Sequence, residues 1–537
     1  MRRSPGIKAV VVLGAGVLLG ILAFGGPPQP SFHIVIEGGR VLDGTGVPWY
    51  RADIGIQDDR IIAVGDLSDV GAERRIDAGG LYVAPGFIDN HSHAASGLAS
   101  EELSSAHPLL AQGVTTVAVN PDGGGRVVDL ARQRAKLLEH GLGVNVARYI
   151  GHGAVRQEVL GMANRAPTDE ELDRMRELVR EAMEEGGLGL ASGLYYAPGS
   201  YAETGEVIEL ARVAGEHGGV YSSHIRDEAD YNIGVVAAVE EVVTIAREGA
   251  LPGIVTHIKV LGPRAWGLAD TVIARIDEAR GAGVEIWADQ YPYAASGSGV
   301  TGALVPRWAQ DGGHEELVRR IDRPGEGPRL REEMLENLVE RRGGADRLQI
   351  RRFAPDPSIE GRFLSDLADE RGLHPVDFAI ELLREGGASF VSHVMREEDV
   401  EAFMRQSWTM IASDGGLVPF GEGVPHPRNY GTFSRVIHRY VQERGTLSLE
   451  EAVRKSSMLP AQALRLSDRG VIRPGAVADV IIFDLDQTKD RATYLEPHQL
   501  SDGMIYVIVN GILTVEGGRF TDAVPGRVIG PGTGGDR

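Results

Sequence analysis

His91 and His93 end the run Gly86-Phe87-Ile88-Asp89-Asn90-His91-Ser92-His93. In an extended chain, residues at i and i+2 point to the same side, so both imidazoles can reach one metal ion. Three more residues of metal-binding type follow apolar runs: His224 in Ser223-His224-Ile225-Arg226, His257 in Thr256-His257-Ile258-Lys259, and Asp414 in Ala412-Ser413-Asp414-Gly415. Singly, each is an ordinary residue after an apolar stretch. Together, in this order, they form a ligand set for a divalent cation. Cysteine is absent from all 537 residues. That removes thiolate ligands, disulfides and a thiol nucleophile, and leaves imidazoles and carboxylates as ligands for a transition metal.

Positioning these residues requires strands. Apolar runs alternate with helical patterns at 83–89, 114–120, 144–151, 188–192, 220–224, 254–257, 284–290 and 410–414. Near-continuous apolar strands separated by helices describe a parallel sheet buried on both faces, and eight of them predict an α/β fold of the (β/α)8, TIM-barrel type. Catalytic groups of such barrels sit at the C-terminal strand ends, so the four positions converge on one mouth although more than 300 residues separate His91 from Asp414. His152, in Gly151-His152-Gly153 at the end of the third run, faces the same mouth, either behind the ligands, against substrate, or as a structural histidine. Residues 308–352 are rich in Arg and Glu at helical spacing. They predict a helical insertion, either a cover over the site or a solvated excursion.

The barrel is expected over 83–465. Short β patterns fill 31–82, and further strands at 480–483, 505–509 and 512–515, the last two joined by an Asn510-Gly511 turn, lie within 466–537. Neither segment is long enough to bury a core alone, so the two ends are expected to pair as a small β-sandwich. The first thirty residues stand apart: Arg2, Arg3 and Lys8 precede sixteen uncharged residues, Ala9 to Phe24, then Gly25, Gly26 and Pro27. This pattern predicts a signal peptide or an uncleaved anchor, hence an exported, periplasmic or otherwise extracytoplasmic protein whose only membrane contact is that segment. A hydrophobic content of 42% and a charged content of 24% exclude whole-chain disorder and a polytopic membrane protein. The net charge of −21 disfavours a nucleic-acid partner and leaves a small molecule as the expected ligand.

Several stretches resemble the N-acyl-D-amino-acid deacylase (D-aminoacylase) family of the amidohydrolase superfamily, from Phe32 to about Val528. They are Val83 to Asp89 with its H-x-H, Gly113-Val114-Thr115-Thr116-Val117, Gly151-His152-Gly153, Ser192 to Gly199, Ser223 to Glu228, Asp289-Gln290-Tyr291-Pro292-Tyr293, Ser413-Asp414-Gly415 and, most specifically, His426-Pro427-Arg428-Asn429-Tyr430-Gly431-Thr432-Phe433. The resemblance implies zinc, as one or two ions, with His224, His257 and Asp122 holding a tight ion and His91 and His93 binding it or a second one. Asp122 is a departure: the family places a ligating cysteine there, and here the run reads Asn120-Pro121-Asp122-Gly123-Gly124-Gly125. Asp122 serves either as a harder ligand in place of the thiolate or as a turn residue before three glycines. Asp414 is implied as a metal ligand and as the general base that returns its proton to the leaving amine. Arg428 and then Lys259 are the cations expected to take a substrate carboxylate, with Tyr196, Tyr293 and Ser298 lining the pocket.

The expected activity is therefore metal-dependent hydrolysis of linear N-acyl amino acids, of the D series by resemblance. Two other readings keep the barrel: an amidohydrolase of cyclic amides or dipeptides, and an inactive envelope binding protein. The fourth strand, Leu188-Gly189-Leu190-Ala191-Ser192, lacks the lysine that hydantoinase-type relatives carboxylate, and every ligand position is filled.

Overall fold

In the computed structural model, residues 31–124 and 127–531 are described. The stretch read as a signal peptide or anchor lies outside them. No helix among the described residues is long and apolar enough to cross a membrane.

Eight parallel strands carry the expected site: β1 (Phe87–Ser92), β2 (Val114–Val119), β3 (Asn145–Arg148, continued by Ile150–Gly151), β4 (Gly189–Gly193), β5 (Val220–His224), β6 (Gly253–Val255), β7 (Ile286–Gln290) and β8 (Thr409–Ile411). Nearly every residue in them is buried, as expected of a parallel sheet covered on both faces. β1, β2 and β3 pair in one sheet, and β3, β4, β5, β6, β7 and β8 pair in that order in another, β3 belonging to both. At the far edges, Asp414 N–H donates to the His91 carbonyl at 2.9 Å and His93 N–H to the Gly415 carbonyl at 2.7 Å. One apolar cluster draws on all eight strands, through Ile88, Ala118, Ala147, Ala191, Val220, Ile254, Met410 and, partly buried, Trp287.

The first expected run divides at Gly86. Tyr82–Pro85 belongs to a different sheet and only Phe87–Ser92 is parallel to β2. Gly86 is required at the corner, where a Cβ would fall 2.2 Å from Thr115 Oγ1. The two chain ends meet here. Val480–Phe483 pairs antiparallel with Tyr82–Pro85, and hydrogen bonds join strands of 31–85 and 480–520 in one nine-stranded sheet with a common apolar cluster. Asn510 (φ 49°) and Gly511 (φ 80°) form the two-residue turn between Met504–Val509 and Ile512–Glu516, the doubly left-handed turn such hairpins favour. Past that sheet, Val528–Ile529 pairs with β3.

The helical stretch near 308–352 contains His314–Ile321 and Glu326–Glu336, but the excursion is longer than this. It opens with Ser296–Gly299 and closes with Ser389–Ser392, and the latter pairs antiparallel with both Ser296–Gly299 and Leu348–Arg352 in a three-stranded sheet beside its own apolar cluster. Charge density announces the exposed helical faces, whereas the short Ser/Gly strand carries no such signal.

Asp479 joins the two parts. Its carboxylate accepts hydrogen bonds from Asn145 of β3 at 3.1 Å, from the Asn510 amide at 2.7 Å and from Arg469, and its carbonyl accepts from Gly86 N–H. Removing one member of a buried ion pair leaves an uncompensated charge. Asp479→Ala should lower stability by about 3 kcal/mol, read as a fall in the thermal midpoint of the zinc-loaded protein. An unchanged midpoint would contradict the joint role.

Candidate metal centre and substrate cavity

The C-terminal ends of the strands bring the predicted ligands together in two groups: His91, His93, Asp122 and Asp414, and Asp122, His224 and His257, with the candidate ligand atoms of each within 4.8 Å of one another. Asp122 belongs to both. Its Oδ1 lies 3.4 Å from His91 Nε2 and 3.6 Å from His257 Nε2, and its Oδ2 lies 3.4 Å from His93 Nε2 and 3.7 Å from His224 Nδ1. Asp414 Oδ1 is 3.1 Å from His93 Nε2 and 3.7 Å from His91 Nε2. One carboxylate between two histidine pairs, with a second beside the first pair, could hold one or two divalent cations.

Local backbone strain positions these groups. Asp122 (φ 59°), His257 (φ 35°) and Asp414 (φ 47°) all lie in the left-handed region, a costly conformation that collects where side chains must be aimed. The Asp122 loop is wedged between strand ends bare of side chains: a Cβ on Gly193 would fall 2.0 Å from the Asp122 carbonyl oxygen, and one on Gly153 would fall 2.6 Å from that of Gly123. Asp89 of β1 holds the opposite seam, accepting from Ser413 N–H at 2.8 Å and from the Ser413 hydroxyl. Burial raises Asp89 to about 6 despite those bonds. Asp289 of β7 accepts from His257 N–H at 2.6 Å and from Asn90 at 2.7 Å.

The cluster demands positive charge. Burial pushes the Asp122 carboxyl up, but the His91, His224 and His257 imidazoles hold it well below the ordinary carboxylate range. For Asp414, burial is outweighed by Arg428 and His93. Burial and Lys259 act downward on His257, yet Asp122 and Glu228 carry it to about 9. His91 and His93 are raised in the same way as His257, and His224 is lowered by burial; a metal cation binding here would compete with protons for these nitrogens. The donor set fits the metal: His91 Nε2 and Asp122 Oδ1 are buried and have no hydrogen-bond partner, as expected of atoms that serve as ligands.

A cavity of about 1310 Å³ opens over the cluster. Tyr196, Ser298, Lys259 and Arg428 line it. The two cations are already engaged: Lys259 Nζ lies 2.7 Å from His257 Nδ1 and pairs with Glu228, and Arg428 Nη1 donates to Asp414 Oδ2 at 2.7 Å. One expectation is corrected, and for His152 the substrate-contacting alternative falls away. Tyr293 does not line the cavity: its N–H donates to the Tyr291 carbonyl at 3.0 Å, a tight turn at Pro292 that carries the ring away to pack on His426. Tyr291 takes the cavity wall instead, beneath Lys259 and Arg428. His152 is also absent from the wall, its Nε2 2.9 Å from Glu206, which pairs with Arg156 as well. In Gly151-His152-Gly153 it is the glycines that serve the site.

Glu228, Tyr291, Arg342 and Arg351 line the cavity without having been singled out from the sequence. Glu228 lies four residues past His224, 3.1 Å from His257 Nδ1, so its spacing was a usable signal. The two arginines belong to the excursion, where spacing reveals nothing about direction.

Imidazoles and carboxylates gathered at the C-terminal ends of parallel strands define a metal-hydrolase type of site. The profile of the Amidohydrolase family matches residues 74–290 and 330–515. N-acyl-D-glutamate deacylase of Alcaligenes xylosoxydans xylosoxydans is 35% identical over 504 residues, covering 90% of this chain and 93% of the relative. D-aminoacylase of the same organism is 35% identical over 523 residues, covering 93% and 98%. A solved structure of N-acyl-D-glutamate deacylase from Bordetella bronchiseptica, complexed with zinc and a phosphonate mimic of the tetrahedral intermediate, matches with a TM-score of 0.79 at 33% identity over 93% of this chain and 100% of that one. The chain belongs to the amidohydrolase family, in its D-aminoacylase branch.

Asp122→Ala should reduce zinc affinity by at least about 100-fold, since loss of even an outlying support costs 10- to 100-fold, measured by competition with a chromogenic chelator. Asp122→Cys should retain zinc. Unchanged stoichiometry and affinity in the alanine variant would reduce Asp122 to a turn residue.

Proposed function

We propose that this chain is a zinc-dependent deacylase that hydrolyses N-acyl-D-amino acids to a carboxylate and a free amino acid, with Asp414 as its general base. The observation that carries the reading is the single Asp122 carboxylate shared by two histidine groups, with Asp414 3.1 Å from His93 on the cavity side. We read the eight strands as a closed (β/α)8 barrel, supported by the hydrogen bonds between the ends of β8 and β1 and by the cluster drawn from all eight strands. In the same reading, 31–82 and 466–531 form the second domain, and export through the N-terminal segment rests on its sequence pattern.

His91, His93, Asp122, His224, His257 and Asp414 would hold one or two zinc ions. Bound there, zinc supplies Lewis acidity toward the amide carbonyl and brings the pKa of water from about 15.7 to about 7. Asp414 accepts the proton of the attacking water through Oδ1, while Arg428 fixes its Oδ2 and so sets its orientation. The same carboxyl then delivers the proton to the amide nitrogen, which must be protonated to leave. Arg428 Nε is buried without a partner, and this free edge meets the α-carboxylate, with Lys259 and Tyr196 also lining the cavity. Glu228 keeps Lys259 and His257 in place. The relatives named for N-acyl-D-amino-acid chemistry support the substrate class and the D configuration.

Zinc-loaded protein should release free amine from N-acetyl-D-methionine and not from dihydroorotate, and chelation should abolish the reaction. Asp414→Asn should retain most of its zinc and lose about 10³-fold in kcat, within the range for a general acid–base. Near-normal turnover in that variant would remove Asp414 from the role. Arg428→Ala should lower kcat/KM for N-acetyl-D-methionine at least about tenfold more than for an N-acyl amine without the carboxylate, the discrimination expected when a charged partner is lost. Equal losses on both would assign Arg428 to Asp414 alone.

A further inference from the structure

The cavity wall built by the excursion carries more positive charge than one α-carboxylate needs. Arg351 lies where the Leu348–Arg352 strand slips register against Ser389–Ser392, between Ile350 and Arg352, and a bulge of this kind re-aims a side chain. Its guanidinium turns over Gly297: a Cβ there would lie 3.4 Å from Arg351 Nη1 and 3.3 Å from Arg428 Nη2. A side chain at 297 would occupy the space the two cations share. The Arg351 guanidinium makes no hydrogen bond or salt bridge with any described residue, and burial together with Arg428 pushes it down to about 10.

Two further observations on the same wall ask for an anion. Arg342 lines the cavity, is 1% exposed, and has Nη1 without a partner. The hydrogen bonds of its guanidinium run to neutral acceptors, among them the Tyr195 hydroxyl at 3.2 Å and the Ala303 carbonyl at 3.4 Å. The hydroxyls of Ser296 and Ser298, on the strand that contains Gly297, are buried and unpartnered. A buried guanidinium that pairs directly with no carboxylate is costly, and a ligand can supply that partner. In a chain of net charge −21, this wall is a local reversal of sign.

We propose that Arg351, with Ser298, receives a second carboxylate, so that the preferred substrates are N-acyl derivatives of acidic amino acids. This rests on the deacylase reading above. Arg428 takes the α-carboxylate and Arg351 the side-chain carboxylate, and the short carbon chain between those groups in aspartate or glutamate suits two guanidiniums that reach one point. Arg342 adds attraction from behind the tyrosine pair.

The test compares isosteric substrates on the zinc-loaded full chain. The wild type should favour N-acetyl-D-glutamate over N-acetyl-D-glutamine by about 100-fold in kcat/KM, as expected for a desolvated charge pair. Arg351→Gln should bring that ratio within about tenfold of unity, and Arg351→Lys should restore part of it. A wild-type ratio at or below one, or a variant that loses both substrates equally, overturns the assignment. If the wild type cleaves N-acetyl-D-methionine and N-acetyl-D-glutamine but not the acidic substrates, only this inference fails. If it cleaves no N-acyl-D-amino acid, the deacylase reading fails and takes this one with it.

Discussion

The structure depends on one carboxylate among four imidazoles. Asp122, with only 13% of its side chain exposed, faces His91, His93, His224 and His257, and Asp414 stands across from it. Carboxylates crowded this closely out of water repel each other unless cations lie between them. Imidazolium protons meet that demand in part, and divalent ions meet it in full. The strained backbone at Asp122, His257 and Asp414 follows from the same demand, because ligands from separate strand ends can meet at one point only if some of them leave ordinary backbone conformations.

The rest of the fold holds this arrangement together. Asp89 ties β1 to Ser413, which fixes Asp414 beside His93. Gly193 and Gly153 let neighbouring backbone press on the Asp122 loop. Asp479 binds strand β3 to the tail of the chain, so the sheet made from both ends is tied to the parallel strands that carry the site.

Much of this was legible in the sequence because it follows from periodicity and from rules of topology. The eight apolar runs and the Asn510-Gly511 hairpin recur in the structure within a few residues, and all six candidate ligands meet at one end of the strands. What eluded the sequence depends on direction. Tyr293, placed in the pocket by resemblance, is carried away from it by a tight turn at Pro292. His152 sits in a motif whose glycines matter more than its imidazole. Arg351 is aimed by a bulge that no local pattern announces, and the excursion enclosing it begins with a Ser/Gly strand that reads as a loop.

The cavity has two poles, an imidazole and carboxylate pole for the metal and a guanidinium wall for the substrate, and Arg428 touches both through Asp414 and Gly297. Catalysis and recognition thus share a residue, and the spacing between them is set by the fold. The central claim is that Asp122 would help hold the divalent metal, as one ion or two. Anomalous X-ray diffraction at the zinc edge, from crystals of zinc-loaded protein, tests it most directly. The account predicts an anomalous peak between Asp122 and the His224–His257 pair and, where a second ion binds, a weaker one between Asp122 and the His91–His93 pair. A map with no peak in contact with Asp122, or with zinc bound only elsewhere on the surface, would contradict it.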